Sequence, residues 1–222
     1  NGGRQALKAG DGDAYTGGGG GGGGLGNTAN KAFYGAAGGS GIVVIRFDDI
    51  EMSINWVSID VTAGGNSGKI FVDENASYSW KGGDLIIAYS NTTARGGLCF
   101  AAPTPELQAQ YPNLPPIWAN ARILEIGGGG GGGMIDEQNR GGGAGGGAGG
   151  FVEQAGLIFD NSVEFQVTVG AGGAGGKENE AAGKPGKDSS VTTNGAPVIV
   201  VAKGGGGGGA HSAGGDGASG GG

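Results

Sequence analysis

Apolar residues along this chain occur in short runs that begin or end in glycine. The run Ile42–Phe47 (IVVIRF) follows Gly38-Gly39-Ser40-Gly41 and is nearly continuous, which is typical of a strand buried on both faces. The same joint appears in the opposite direction at 123–126, which leads into seven glycines, and at 198–203, which leads into six. The pattern therefore predicts strands that are joined directly to glycine tracts.

Between residues 48 and 103 the pattern changes to an alternation of apolar and polar residues. Short strands are predicted there at 54–61, 69–73, 76–80, 85–89 and 98–101. Glycine-containing turns separate them, and this spacing favours a small antiparallel sandwich.

The rest of the chain adds one short helix and one clear strand to this picture. Thr104 as the N-cap and Pro105 at the first helical position predict a helix that ends at Tyr111, before Pro112. The alternating stretch 163–169 predicts a further strand, and it too is followed by glycine.

Glycine supplies 60 of the 222 residues and proline 7, and such a share without a triplet period usually indicates a disordered chain. The tracts could be flexible linkers, or they could be ordered helices of the polyproline II type that pack side by side. Their position at strand ends and the apolar content of 36% favour the ordered alternative. The fold class predicted is all-β, a small antiparallel sandwich plus strands framing packed, polyglycine II-like segments.

The net charge of −7 argues against nucleic acid as a partner, because affinity for phosphate comes mostly from Lys and Arg. No apolar run approaches the roughly 18 residues that a membrane span requires, so none is predicted.

Four stretches give the chain its resemblance to a known family. They lie at 38–47, 123–127, 167–173 and from 202 onward, where strands meet glycine. In these stretches the chain resembles the glycine-rich domain of phage tail-fibre and bacterial surface proteins. More loosely, it is similar to phage adhesins that stack polyglycine helices at a fibre tip. The resemblance covers 117–222 and 1–47 but not 48–116.

The order of these stretches departs from the family, in which the strand here at Ile42–Phe47 comes last. Joining Gly222 to Asn1 would restore the family order. We therefore expect residues 1–47 to complete a glycine-rich domain whose first part, 117–222, belongs to a neighbouring copy, with 48–116 as the small sandwich between them. The alternative is a circular permutation within one domain.

These expectations define a function. We expect a structural subunit, or a repeat unit of a longer chain, in an extracellular filament that assembles head to tail from copies of itself. The shared strand would use five side chains: Ile42, Val43, Val44, Ile45 and Phe47. The alternative function is a phage tail-fibre receptor-binding protein, an adhesin.

No enzymatic activity and no cofactor are expected. The single histidine, His211, and the single cysteine, Cys99, offer neither a nucleophile with its base nor a set of metal ligands. Cys99 lies in an apolar run and is predicted to be a buried small hydrophobe.

Two triplets, Asn75-Ala76-Ser77 and Asn91-Thr92-Thr93, fit the acceptor pattern for N-linked glycans and follow or precede predicted strands. Asn75 and Asn91 are therefore candidate glycosylation sites, with glycans as the corresponding partner.

Two other groups of residues allow a binding interpretation and a plainer one. Asp11-Gly12-Asp13 and Asp48-Asp49 could bind calcium, although a solvated turn is favoured because neither matches a full calcium loop. Aromatic residues could line a sugar-binding groove, although core or interface positions are favoured. These aromatic residues are Trp56, Tyr78, Trp80, Tyr89 and Trp118.

Overall fold

The structure is a computed structural model. It describes residues 9–23, 34–47, 58–63, 66–93, 95–99, 105–113, 119–134, 142–159, 164–177, 181–193, 199–210 and 213–222. In chain order the elements are β1 (Ile42–Phe47), β2 (Ser58–Ala63), β3 (Asn66–Val72), β4 (Ala76–Lys81), β5 (Asp84–Tyr89), β6 (Gly96–Cys99), α1 (Pro105–Gln110), β7 (Ala119–Ile126), β8 (Phe151–Phe159), β9 (Glu164–Thr168), β10 (Ser189–Thr193) and β11 (Val200–Ala202).

The strands form two antiparallel sheets. The first has the order β4-β5-β1-β7-β8 and the second has the order β11-β10-β9-β6-β3-β2. Strand β1 lies in the middle of the first sheet, where Val44 is paired with Ala88 of β5 and with Leu124 of β7. The N-terminal strand is therefore hydrogen-bonded along both of its edges by later parts of the chain.

The core lies between the two sheets and is formed by alternate residues of their strands, as the period of two requires. Strand β5 shows this clearly, because Leu85, Ile87 and Tyr89 are buried while the residues between them are half-buried. The Tyr89 hydroxyl donates a hydrogen bond to the carbonyl oxygen of Gly97 at 2.8 Å, so this buried polar atom is satisfied. On the other face of the second sheet, Phe71 packs against Tyr111, next to α1.

The all-β prediction is confirmed, as is the presence of strands that frame packed glycine segments. Strand β1 has the predicted bounds, and strands also form in the described parts of the five stretches predicted between 54 and 101. The helix forms at Pro105–Gln110, whereas Thr104 and residues 54–57 lie outside the described residues.

Two strands were not predicted from the sequence. In β8 the alternation is broken by a register irregularity opposite Ala121 and Ile123, where Gly156 has a φ of 74°. Such a bulge inserts an extra residue, so a search for strict alternation misses the strand. Strand β10 consists of Ser and Thr around a single Val191, which gives almost no hydrophobic signal.

The division into ranges 1–47, 48–116 and 117–222 stays a prediction. In the single chain, strands from all three ranges share the first sheet: β1 from the first range, β4 and β5 from the second, and β7 and β8 from the third.

Candidate functional site

Seven glycine-rich segments lie side by side, and six of them are joined to a strand. We call the seven segments glycine helices and number them g1 to g7 in chain order. They are g1 (17–23), g2 (35–41), g3 (127–133), g4 (142–150), g5 (170–176), g6 (181–187) and g7 (204–209). Strands β7, β9 and β11 lead into g3, g5 and g7, while g2, g4 and g6 lead into β1, β8 and β10.

Hydrogen bonds identify g3 as the centre of this bundle. Its backbone N–H groups donate with a period of three to g4, g6 and g2, at 2.6–2.9 Å when Met134 is included. Its carbonyl oxygens accept N–H groups from g1, g5 and g7 at 2.7–2.9 Å. Three residues per turn with no bonds inside the segment is the geometry of the polyproline II helix. Six neighbours thus surround g3, and the three that run with it alternate with the three that run against it.

Glycine is needed here for its small size rather than for its conformational freedom. Of the glycines in these helices, only Gly17 has a φ in the left-handed region. A Cβ atom placed on any residue of g3 would lie 2.0–2.2 Å from a main-chain oxygen of a neighbouring segment. In g6, only Gly183 and Gly186 face g3 in this way, and the remaining positions carry side chains: Ala181, Ala182, Lys184, Pro185 and Lys187. All seven residues of g3 are therefore glycine because the six surrounding segments leave no room for a side chain at any position.

Ser189 connects the sandwich to the bundle. Its side chain is buried, and its hydroxyl donates to the carbonyl oxygen of Ile126 at 2.7 Å and accepts the N–H of Gly170 at 2.9 Å. One hydroxyl thus joins the start of β10, the end of β7 and the start of g5.

Glu125 lies one residue before Ile126 and is completely buried. Its register partners are Val43 in β1 and Val152 in β8, and among the described residues its carboxylate oxygens have no hydrogen-bond partner. Burial raises the pKa of the Glu125 carboxyl to about 7, opposed by the nearby backbone N–H groups of Ala202 and Val191. Burial therefore favours the protonated, neutral form of the Glu125 carboxyl.

The two candidate glycosylation sites lie side by side. The Asn91 amide nitrogen donates to the side-chain oxygen of Asn75 at 2.9 Å. The Asn75 amide nitrogen in turn donates to the Arg95 carbonyl oxygen at 3.3 Å. The Thr93 backbone N–H and hydroxyl both donate to the Asn91 side-chain oxygen, which fixes this loop. Asn91 is exposed and Asn75 is half-buried. Their use as glycan acceptors stays a prediction.

The remaining sequence candidates occupy plainer positions. An Asp11 carboxylate oxygen accepts the N–H of Ala37 at 3.1 Å, whereas Asp48 and Asp49 lie outside the described residues. In the part of the chain that the structure describes, no three His, Cys, Asp or Glu side chains are grouped to hold a metal ion.

The aromatic residues favour the core interpretation where the structure describes them. Tyr89 is buried, and the half-buried Trp80 and Tyr78 pack against the core. Trp56 and Trp118 lie outside the described residues.

Cys99 is buried, as predicted. Burial, with smaller contributions from the charges of Glu164 and Asp73, raises the pKa of its thiol to about 11. A protonated, buried thiol is a poor nucleophile.

Chemically, the bundle presents an ordered array of main-chain donors and acceptors. Among the described residues, no helix is long and apolar enough to cross a membrane.

The fold and the bundle together define an all-β protein with a polyglycine core. The sequence model of the glycine-rich domain family matches residues 104–222, a little over half of the chain. The chain therefore belongs to the glycine-rich domain family. The comparisons found no curated protein and no solved structure that matches it.

Sequence reasoning located the glycine helices but missed the two residues at their junction with the sandwich. The apolar run 123–126 contains Glu125 at an inward position, and that signal was available. Ser189 gave none, because its role depends on carbonyl and amide groups 63 and 19 residues away.

Proposed function

We propose that this protein is a structural subunit, or repeat unit, of an extracellular filament that assembles head to tail by exchanging its N-terminal part. The observation that carries the proposal is the position of β1. It enters the first sheet between β5 and β7, both of which come later in the chain. The slot would be the same whether the strand came from its own chain or from a neighbour.

The part available for exchange is larger than one strand. Residues 9–47 include g1 and g2, which hold two of the six positions around g3, and β1. Residues 48–57 connect this part to β2. Exchange of an identical element between copies costs little free energy, because the interactions that one chain gives up form again with the next. A head-to-tail exchange that does not close into a ring gives a filament.

A disulfide trap tests the proposal. Val44 and Leu124 are register partners on β1 and β7, so the double variant Val44→Cys with Leu124→Cys places two thiols on neighbouring antiparallel strands. If the strand is exchanged, oxidation of assembled protein yields a ladder of covalent multimers on a non-reducing gel.

The single variant Val44→Cys is the matched control and should give no ladder beyond a dimer, since the native Cys99 is buried. Assembled double variant that runs only as a cross-linked monomer would contradict the exchange and favour a permuted single domain.

A second candidate function is receptor binding at the tip of a phage-type fibre. Helices g1, g3 and g5 run away from the sandwich and g2, g4 and g6 return to it, so the outer ends of these six helices lie at the same end of the bundle. Binding residues are often presented at one end of a framework of packed elements. Electron microscopy of the purified protein distinguishes the two functions, because filaments grow indefinitely whereas adhesins end short, capped spikes.

A further inference from the structure

Two grooves on the outside of the bundle are filled by the chain itself. Residues 9–13 lie in the groove between g1 and g2, where Gly21 donates its N–H to Gly10 at 2.9 Å and Gly12 donates to Ala37 at 2.8 Å. Residues 213–222 lie in the groove between g7 and g4. There Gly206 donates to Ser219 at 2.9 Å, and Gly222 donates to Gly145 at 3.2 Å.

The hydrogen bonds around g3 repeat with approximate threefold symmetry. Helices g1, g5 and g7 each donate to g3, whereas g2, g6 and g4 each accept from it. The rotation that carries the g1–g2 groove onto the g7–g4 groove also generates a third groove, between g5 and g6.

The third groove presents the same main-chain groups as the two filled ones. Gly21 and Gly206 each follow a residue that donates to g3, and on g5 the equivalent position is Ala174. Ala37 and Gly145 each follow a residue that accepts from g3, and on g6 the equivalent position is Pro185. Among the described residues, the Ala174 N–H and the Pro185 carbonyl have no hydrogen-bond partner, and both residues are exposed.

A cleft of about 510 Å³ opens at the sandwich end of this groove. Its lining includes Ala171 from g5 and Gly186 and Lys187 from g6, together with the end of β9. The free volume thus lies where the threefold pattern leaves a segment missing.

We propose that the g5–g6 groove binds an extended, glycine-rich segment of a second copy of this chain that carries aspartate. The proposal rests on the self-assembly proposed above. Both filled grooves hold segments of this composition, Gly-Asp-Gly-Asp at 10–13 and Gly-Gly-Asp-Gly at 214–217.

The side chains along the groove fit such an occupant. Lys187 flanks it on g6 and lines the cleft, and a chain of net charge −7 supplies carboxylates to meet it. Asp188, which also lines the cleft, is paired with Lys203 at 2.8 Å. The methyl groups of Ala171 and Ala174 face the groove. In the filled grooves a Cβ at Gly206 would lie 1.8 Å from the main-chain oxygen of Gly215, whereas a Cβ at Gly21 would lie 3.2 Å from the main chain of Gly10. The Ala174 methyl therefore fits an occupant seated as residues 9–13 are, rather than one seated as residues 213–222 are.

Hydrogen exchange of single amides tests the inference. In dilute protein the Ala174 amide should exchange at least tenfold faster than that of Gly206, its equivalent in a filled groove. In the assembled protein the Ala174 amide should become as protected as that of Gly206. A fast-exchanging Ala174 amide in assembled protein overturns the proposal, and protection already present in dilute protein overturns the choice of a second copy.

A matched pair of variants gives an independent readout. Ala174→Trp should leave the melting temperature unchanged but raise the concentration required for assembly several-fold. Ala148→Trp, at an exposed alanine on g4, should change neither quantity. If Ala174→Trp and Ala148→Trp assemble at the same concentration, binding of a segment in the g5–g6 groove is refuted. The proposed filament still stands in that event if the disulfide trap gives its ladder of multimers.

A peptide experiment tests the groove even if no filament forms. The synthetic peptide AGDGDA, residues 9–14, is titrated into dilute protein while amide resonances are recorded. A shift of the Ala171 and Ala174 resonances without a shift at Ala148 supports the proposal. If millimolar peptide produces no shift, the proposal is refuted. It is also refuted if these resonances shift only in a separate titration with a glycan.

Discussion

Ser189 shows how much of the junction between sandwich and bundle depends on one atom. Its hydroxyl satisfies two main-chain groups, the Ile126 carbonyl and the Gly170 N–H, whose own residues belong to different sheets or helices. Ser189→Ala leaves both groups without this partner, and an unsatisfied buried polar group costs about 1–3 kcal/mol. We expect the free energy of unfolding in urea to fall by that amount.

The neighbouring residue provides the control for this prediction. Ser190→Ala changes a half-buried side chain that points to the other face of β10, and it should alter the unfolding free energy by less than about 0.5 kcal/mol. If Ser189→Ala and Ser190→Ala were equally stable, the Ser189 hydroxyl would not stabilise the connection between the sandwich and the bundle.

Glu125 should make the protein more stable in mild acid. The folded state raises the pKa of its carboxyl from an ordinary 4.5 to about 7. Below pH 4.5 the group is protonated in the folded and unfolded states alike, so it contributes no penalty. Between pH 4.5 and 7 only the unfolded chain loses the proton, so stability falls as the pH rises, and it levels off above 7. One pKa unit corresponds to about 1.4 kcal/mol, so the total loss is about 3 kcal/mol.

Urea unfolding at pH 5 and at pH 8 measures this slope. Glu125→Gln should remove most of it, whereas Glu153→Gln, an exposed carboxylate on β8, should leave it intact. Asp188 does not interfere in this range. Burial opposes its ionisation, but hydrogen bonds from Lys203 and Gly204 and the charges of Lys203 and Lys187 lower its pKa overall, so its contribution is lost only in stronger acid. A variant at Glu125 with an unchanged slope would refute the assignment.

At the scale of the elements, the glycine helices show that a tract of identical residues can contain unequal positions. In g3 every Cβ position is blocked by main chain, whereas on g4 a Cβ at Gly145 would have its nearest neighbour at 3.8 Å. A side chain is therefore excluded from one helix and tolerated on parts of another.

The pair Gly130→Ala and Gly145→Ala tests this difference with the same chemical change. At Gly130 the new Cβ would lie 2.0 Å from the Gly206 carbonyl oxygen, a main-chain atom held by its own bonds. Overpacking of a rigid interior costs about 1–3 kcal/mol or more. At about 2–4 °C per kcal/mol for a chain of this size, the melting temperature of Gly130→Ala should fall by about 2–12 °C. Gly145→Ala should change it by less than about 2 °C, and similar losses in both would exclude the bundle geometry.

Elements were predictable from sequence where the signal was local. The run Ile42–Phe47 and the alternation in β5 and β9 are patterns within a few consecutive residues, so the sequence shows them directly. The glycine tracts likewise indicate close packing of the main chain. Strand β10 was not predictable, because Val191 is buried by strands distant in sequence and its neighbours are Ser and Thr. The arrangement of six helices around g3 was not predictable either, since it depends on which carbonyl each N–H meets.

At the scale of the whole molecule, the chain is a single interleaved unit whose first part is attached through residues 48–57. Without residues 1–47, g3 loses its acceptors for the N–H groups of Gly129 and Gly132 and the donors to the carbonyls of Gly130 and Gly133. The facing edges of β5 and β7 also lose their partner. The remaining fragment therefore has both a damaged bundle and an open sheet.

We expect fragments 1–47 and 48–222 to complement each other in trans. Fragment 48–222 alone should lack the cooperative thermal transition of the full chain, and adding fragment 1–47 should restore it, because the main-chain bonds are the same in either arrangement. Circular dichroism melts and size-exclusion chromatography measure both results. Fragment 1–47 with Val43→Asp should fail to complement, since Val43 is fully buried between the sheets. If fragment 48–222 melted alone at the temperature of the full chain, β1 and its helices would be an appendage, and a filament joined through them would have no reason to hold together.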